Sequence, residues 1–234
     1  MADSWNPLTP QTYSVDEIVT AAKLNQELRD RMQALFNGLV GDGSADADVL
    51  HRHRSGTLAA RPGAVGAGRT YYATDVKVLF LDTGSAWVVI GVFPAAARAY
   101  YAAALTIGTG GAGLALPFDS ERFDNDSIHS TVTNTSRFTC QTAGIYSIFG
   151  SLTFAANATG RRQVGIRING ATTIAIHEQN ASPVNETFLD IATLYQLAVA
   201  DYVEMVGYQD SGSSLSVIFA NYSPEFGMTR VGYI

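Results

Sequence analysis

The chain has a single cysteine, Cys140, among its 234 residues. No intrachain disulfide can therefore brace it, and on an apolar-alternating stretch this thiol reads as a small buried hydrophobe. Charge is also scarce. Asp, Glu, Lys and Arg make up 15% of the sequence, against about a quarter in an ordinary soluble chain. The balance is negative, at −6, which argues against a phosphate-backbone partner. The one basic cluster, His51-Arg52-His53-Arg54, is too short for a nucleic-acid groove. No apolar run reaches the length of a bilayer span, because the longest, Trp87 to Gly91 followed by Val92 and Phe93, is strand-sized. Met1-Ala2-Asp3-Ser4 lacks the basic and apolar regions of a signal peptide, so none is expected. Catalytic groups are few. Only four histidines occur, at 51, 53, 129 and 177, with neither a Gly-x-Ser-x-Gly elbow nor a His-Glu-x-x-His helix. An enzyme is not expected, although a glycan-cleaving carboxylate pair, being a spatial arrangement, leaves no sequence signature.

What fills the chain instead is Gly, Ala, Ser and Thr on a strand-like pattern. Residues 1–40 form an N-terminal anchor: Ser14 and Glu17 have capping-box spacing, and Leu24, Leu28, Met32, Leu35 and Leu39 make one stripe of a helix over 21–38. A helix of that length is not stable alone. Its stripe must be covered by sister copies, by an adjoining protein or by the chain's own β domain. Residues 41–56 show no period and read as a linker. Residues 57–93 carry three short strand signatures, with Asp82-Thr83-Gly84-Ser85 as a turn, and form a small β knob. The Ala- and Gly-rich stretch 94–113 is a connector or holds an early strand around Leu105-Thr106-Ile107.

Residues 114–234 are large enough for a core of their own. Strands are expected at 128–133, 136–140, 145–155, 162–168, 172–179, 186–194, 203–209, 214–220 and 227–232. Turn signals separate them at roughly ten-residue intervals, the pattern of a sandwich or jelly roll. The strongest is Asn169-Gly170 between two alternating runs, a hairpin signature. The expected fold is mostly β: a C-terminal jelly-roll sandwich, a small knob and a short N-terminal helix.

The stretch from Arg137-Phe138-Thr139-Cys140 through Gly144-Ile145-Tyr146 resembles the opening hairpin of the trimeric jelly-roll head shared by the complement recognition subcomponent and the tumour-necrosis-factor superfamily. The passage Leu194 to Glu204 is similar to the segment feeding that head's penultimate strands. Ile148, Gly150 and Thr131 depart from it, standing where aromatics or leucine are usual. The resemblance implies a homotrimer, with Leu24, Leu28, Met32, Leu35, Phe138, Tyr146, Leu197 and Val203 as trimer or core packing residues. Further forward, Trp5-Asn6-Pro7 with Glu17 to Asp30 resembles the N-terminus of minor tail and fibre proteins of tailed bacteriophages. Gly56 to Pro62, Tyr71 to Asp75 and Asp82 to Val88 are similar to a small β module of such proteins. These resemblances imply a virion appendage assembled in the host cytoplasm, joined to other phage structural proteins through its N-terminus. Its head would attach to a host-surface glycan. The alternatives are a capsid or tail decoration without a receptor, and a glycan depolymerase.

Three groups of site residues follow. Amide, hydroxyl and aromatic groups suited to carbohydrate stand in turns at Asn157, Arg161, Asn180, Asn185, Tyr208, Gln209 and Asp210. In a threefold assembly His51 and His53 would bring six imidazoles to the axis, an octahedral set of the kind iron or nickel takes; similar pairs occur in phage fibre shafts. Asp119, Glu121, Asp124 and Asp126, in a short polar loop, supply the hard oxygens calcium prefers, without a Gly-centred binding pattern.

Overall fold

Two residue patterns, alternation with a period of two and turns at positions that tolerate a left-handed backbone, account for nearly all of the architecture. The computed structural model describes residues 53–234 together with Leu28 and Met32, two helical positions whose side chains are 58% and 63% exposed on the single chain. Leu24, Leu35 and His51 lie outside the described residues.

The knob is a four-stranded sheet of β1 (His53–Gly56), β2 (Thr70–Ala73), β3 (Val78–Asp82) and β4 (Trp87–Val92) in that order, with β1 parallel to β2 and the rest antiparallel. It therefore begins before residue 57, taking the last four residues of the expected linker into its edge strand. Tyr71, Ala73, Val78 and Phe80 form its small core. Asp82 ties its loops together. Its carboxylate accepts from Val65 N, Gly66 N and Gly84 N at 3.2, 3.1 and 2.7 Å, and from Arg69 Nε at 2.9 Å.

The rest is a jelly-roll β-sandwich built of β5 (Ala96–Tyr100), β6 (Leu105–Ile107), β7 (Leu114–Ala115), β8 (Ser120–Asp124), β9 (Arg137–Thr139), β10 (Gly144–Phe154), β11 (Arg161–Ile168), β12 (Thr172–Asn180), β13 (Thr187–Leu197), β14 (Tyr202–Gln209), β15 (Leu215–Val217) and β16 (Glu225–Gly232). In the first sheet β10 is central. It pairs with β13 along its whole length on one side and with β16 and the end of β15 on the other. β5 and then β8 extend the sheet beyond β16, and β6 lies beside β15. The second sheet runs β12, β11, β14, with β7 and β9 sharing the far edge of β14. Tyr146, Ile148, Leu152 and Phe154 of β10 face Val164 and Ile166 of β11 and Val203 and Met205 of β14 across a buried apolar interior. Phe138 sits in an aromatic cluster with Phe118, Phe226 and His129 at centroid distances of 6.0, 4.9 and 4.8 Å.

The segment 94–113 is thus not a connector. β5 and β6 belong to the first sheet, and Ala95, Ala97 and Ala99 alternate inward with essentially no exposure. Alanine has weak strand preference, so the pattern is carried by position and not by residue type. Residues 128–133, expected as a strand, are irregular, with bends at 131–133. There the Ser130 hydroxyl accepts from the N–H groups of Val132 and Thr133 at 3.3 and 3.2 Å, replacing ladder hydrogen bonds by local ones. At Asn169 and Gly170 φ is +52° and +71°, and Ala171 N donates to Ile168 O at 3.1 Å, the turn that hairpin signature calls for. The Asn169 side chain also pins the turn to β14, accepting from Tyr202 N at 3.0 Å and donating to Asp201 at 2.8 Å.

The knob packs where β16 ends and β10 begins. Lys77 pairs with Asp126, Arg230 donates to Val76 O at 2.7 Å, and the rings of Phe80 and Tyr233 meet edge to face at 5.9 Å.

Candidate functional site

With the knob at one end of the sandwich, strand direction decides what occupies the other. β10 leaves the knob end at Gly144 and finishes at Phe154, and β11 returns from Arg161. The loops 155–160, 181–186 and 210–214 therefore gather at the end remote from the knob. They bring Asn157, Arg161, Asn180, Asn185, Tyr208 and Asp210 into one polar tip.

The tip is held by its own chemistry. Asn157 Oδ1 accepts from Thr159 N at 2.8 Å, and Ala181 N donates to Gly160 O at 2.9 Å, linking two loops. Asp210 joins the third by accepting from Arg161 N at 2.5 Å and pairing with Arg161 Nε at 3.2 Å. The Arg161 guanidinium also pairs with Glu178 at 3.1 Å and lies 5.3 Å from the Tyr208 ring centre. The Tyr208 hydrogen bond and the Glu178 charge raise its pKa above the ordinary arginine value.

Beneath the tip lies Arg162, which the sequence places in the exposed turn 157–162 and the structure buries. Arg162 is fully buried, and among the described residues no carboxylate forms an ion pair with it. It donates to the carbonyls of Thr159 and Arg161 at 3.0 Å each and of Asn157 at 3.3 Å. Burial lowers its pKa, opposed by the Asp210 charge. The legible signal was parity, since Arg162 alternates with the inward-facing Val164 and Ile166. Gln209 is a correction of the same kind. It is fully buried, its amide donating to Ile107 O and Ser213 O at 2.9 and 2.7 Å and accepting from Ser211 N at 2.7 Å. It shapes the 210–214 loop from inside and offers nothing to a receptor.

Phe138, Tyr146, Leu197 and Val203 are fully buried inside the protomer, so they pack its core and not a subunit contact. Exposed apolar side chains lie instead on the outer face of the first sheet. β13 turns Phe188, Ala192 and Leu194 outward opposite Thr153, Phe149 and Ser147 of β10, and Phe188 and Leu194 are 54% and 65% exposed. Beside this face, Glu225 bridges Arg98 and Arg122, the latter at 2.9 Å from Nε.

The metal candidates do not converge. His53 lies on β1 with Nδ1 2.6 Å from Thr70 Oγ1. Most of the expected acidic loop is strand β8, whose successive side chains point to opposite faces. Asp119 accepts from Ala102 N at 2.9 Å, and Asp124 accepts from Asp126 N and His129 N at 3.0 and 2.8 Å, so both carboxylates brace backbone. Among the described residues no three His, Cys, Asp or Glu side chains gather in a metal-holding arrangement. The other two histidines have structural partners: buried His129 contacts Glu121 Oε1 at 2.8 Å and Thr135 O at 3.0 Å, and half-buried His177 contacts Asp190 O at 2.7 Å. Cys140 is buried, its thiol donating to Thr142 O at 3.3 Å, and burial raises its pKa.

No protein-family model and no curated protein sequence matches the chain. Among solved structures it is similar to the globular domain of zebrafish complement 1qA protein, at 12% identity and a TM-score of 0.41, covering 56% of this chain and 94% of that one. It is also similar to murine APRIL, at 8% identity and a TM-score of 0.46 over 59% of this chain and 100% of that one. A third is Eiger TNF from S. frugiperda, at 13% identity and a TM-score of 0.45 over 60% and 94%.

Proposed function

We propose that this chain is a homotrimeric, non-enzymatic structural protein of a tailed-phage particle, anchored through its N-terminus and presenting its jelly-roll head to a glycan on the host surface. The observation that carries the reading is the placement of the polar tip. Asn157, Arg161, Asn180, Asn185, Tyr208 and Asp210 meet at the end of the sandwich opposite the knob, where an anchored particle would face outward. The exposed Phe188 and Leu194 on the first sheet supply a surface for association with sister heads. Three tips held side by side turn weak contacts to a repeating polymer into firm attachment. The resemblance of residues 5–30 to phage tail and fibre N-termini supports the location on a virion.

The test is an array of purified bacterial surface polysaccharides probed with the full chain. Saturable binding that is lost in the Asn180→Ala/Asn185→Ala variant, with the melting temperature unchanged, is the expected result. Absence of binding across the array overturns the receptor role and leaves a decoration protein. Release of reducing ends during incubation overturns the non-enzymatic reading.

A further inference from the structure

The outer face of the second sheet carries a hollow that the fold itself does not require. β11 turns Arg161, Gln163, Gly165 and Arg167 to this side; with Thr173 of β12 and Tyr208 of β14 they line a groove of about 280 Å³. Gly165 lies mid-strand, where glycine weakens the ladder and often marks the close approach of a ligand. Its φ is not positive. A Cβ there would have Ala175 O at 3.5 Å, Thr173 Cγ2 at 3.8 Å and Ile176 Cγ1 at 4.0 Å as its nearest neighbours, all ordinary contact distances. Gly150 differs sharply, because a Cβ there would stand 2.4 Å from Met205 Sδ in the core. Packing explains Gly150. It does not explain Gly165, whose missing side chain is the groove.

The walls say what kind of ligand fits. Both cations are already neutralised, Arg161 by Glu178 and Asp210 at 3.1 and 3.2 Å and Arg167 by Glu204 at 3.1 Å, so a polyanion gains little here. Among the described residues the Gln163 amide and the Thr173 hydroxyl have no side-chain hydrogen-bond partner, leaving donors and acceptors free beside the glycine floor. Tyr208 adds a ring with a polar end. Uncharged, directional hydrogen bonding around a bare floor suits a flat polyhydroxylated ring.

We propose that this groove is the primary sugar subsite of the head, taking one ring of a neutral hexose polymer, with Gln163 and Thr173 bonding its hydroxyls over Gly165. This rests on the glycan-binding reading above and gives it a place next to the tip loops.

The test uses the full chain and two variants, Gly165→Val, which fills the hollow, and Gln163→Ala, which leaves the backbone untouched. Each is titrated with dextran, mannan and galactan as neutral probes and with alginate and hyaluronan as acidic ones, alongside the polysaccharide array. The expected result is binding to a neutral polymer, weakened about tenfold or more in each variant, the loss that follows from one or two good hydrogen bonds. Melting temperature should not fall, Gly165→Val having a strand-forming residue in place of glycine, and sedimentation coefficient should not change. Should Gly165→Val fail to fold, Gln163→Ala decides. Undiminished binding by the variants, or a preference for the acidic polymers, overturns the groove while leaving the glycan role standing. Absence of any glycan binding by the parent chain overturns both.

Discussion

Replacing Leu194 by aspartate should dissolve the proposed trimer while leaving the protomer folded. Leu194 projects from β13 opposite Ser147 of β10, away from the core, and 65% of it is exposed. Burying a whole leucine is worth about 1.5–3 kcal/mol, so covering the exposed part contributes about 1–2 kcal/mol at each contact. A closed trimer has three equivalent contacts, for a total of about 3–6 kcal/mol. That corresponds to a fall of roughly 10² to 10⁴ in the trimer association constant, before the cost of desolvating the new carboxylate is added. Sedimentation equilibrium over a concentration series reads this directly. A matched control, Ile176→Asp, alters a residue 59% exposed on the outer face of the other sheet and should leave association unchanged. Both variants should unfold like the parent when dilute, since exposed substitutions usually move stability by less than about 0.5 kcal/mol. A parent chain that stays monomeric throughout, or a Leu194→Asp chain that trimerises as the parent does, refutes the reasoning.

In the knob, burial alone would raise the pKa of Asp82. Hydrogen bonds from Arg69, Gly84 and Gly66, with the Arg69 charge, overrule it and hold the carboxyl at about 2. Because this is below an unfolded aspartate, near 3.9, the stabilisation is complete above about pH 4 and lost as pH falls through about 2. Trp87, whose indole donates to Pro62 O at 2.8 Å, reports it. In a Trp5→Phe background its fluorescence should hold steady above pH 4 and change below, and Asp82→Asn should show the altered signal at neutral pH. A flat acid titration with an unaltered variant contradicts the assignment. In the head, Phe138→Ala removes a fully buried ring from the Phe118, Phe226 and His129 cluster. It should cost about 3–5 kcal/mol in denaturant unfolding; a loss below about 1 kcal/mol would mean that Phe138 lies at a yielding surface.

The second half of the head was legible because its strands alternate cleanly and its turns use residues with one physical purpose. Asn169-Gly170 is both a turn and a clamp on β14, and both roles follow from an asparagine that tolerates positive φ and has an amide to spare. The first sheet's outer strands were harder to see. β5 hides behind alanines whose burial depends on Phe226 and Met228 of β16 arriving from far along the chain. β8 hides behind acidic residues that a local reading assigns to a loop. Of the tip, the exposed loops could be read from turn chemistry. The burial of Arg162 and Gln209 could not be read from turn chemistry, because its signal is strand parity. Gly165 needed the structure most: a strand glycine is ambiguous until the space around its missing Cβ is measured.

The two outer faces of the sandwich differ in a way that bears on how the head works. On β13 the outward set is Phe188, Asp190, Ala192, Leu194 and Gln196; on β11 it is Arg161, Gln163, Gly165 and Arg167. Both arise from the same period of two, and each strand shows its inward set to the same core. A one-residue slip in either would bury its outward set and expose its apolar one, so the register that builds the core also assigns the faces. The first face leaves apolar area in water, which association can remove. The second is mostly ion-paired and polar, with Ile176 as its large exposed apolar side chain and free hydrogen-bonding groups beside a hollow. Association through the first face alone keeps the second face and the tip open in every copy, and this is the geometry that repeated, weak attachment to a polymer requires.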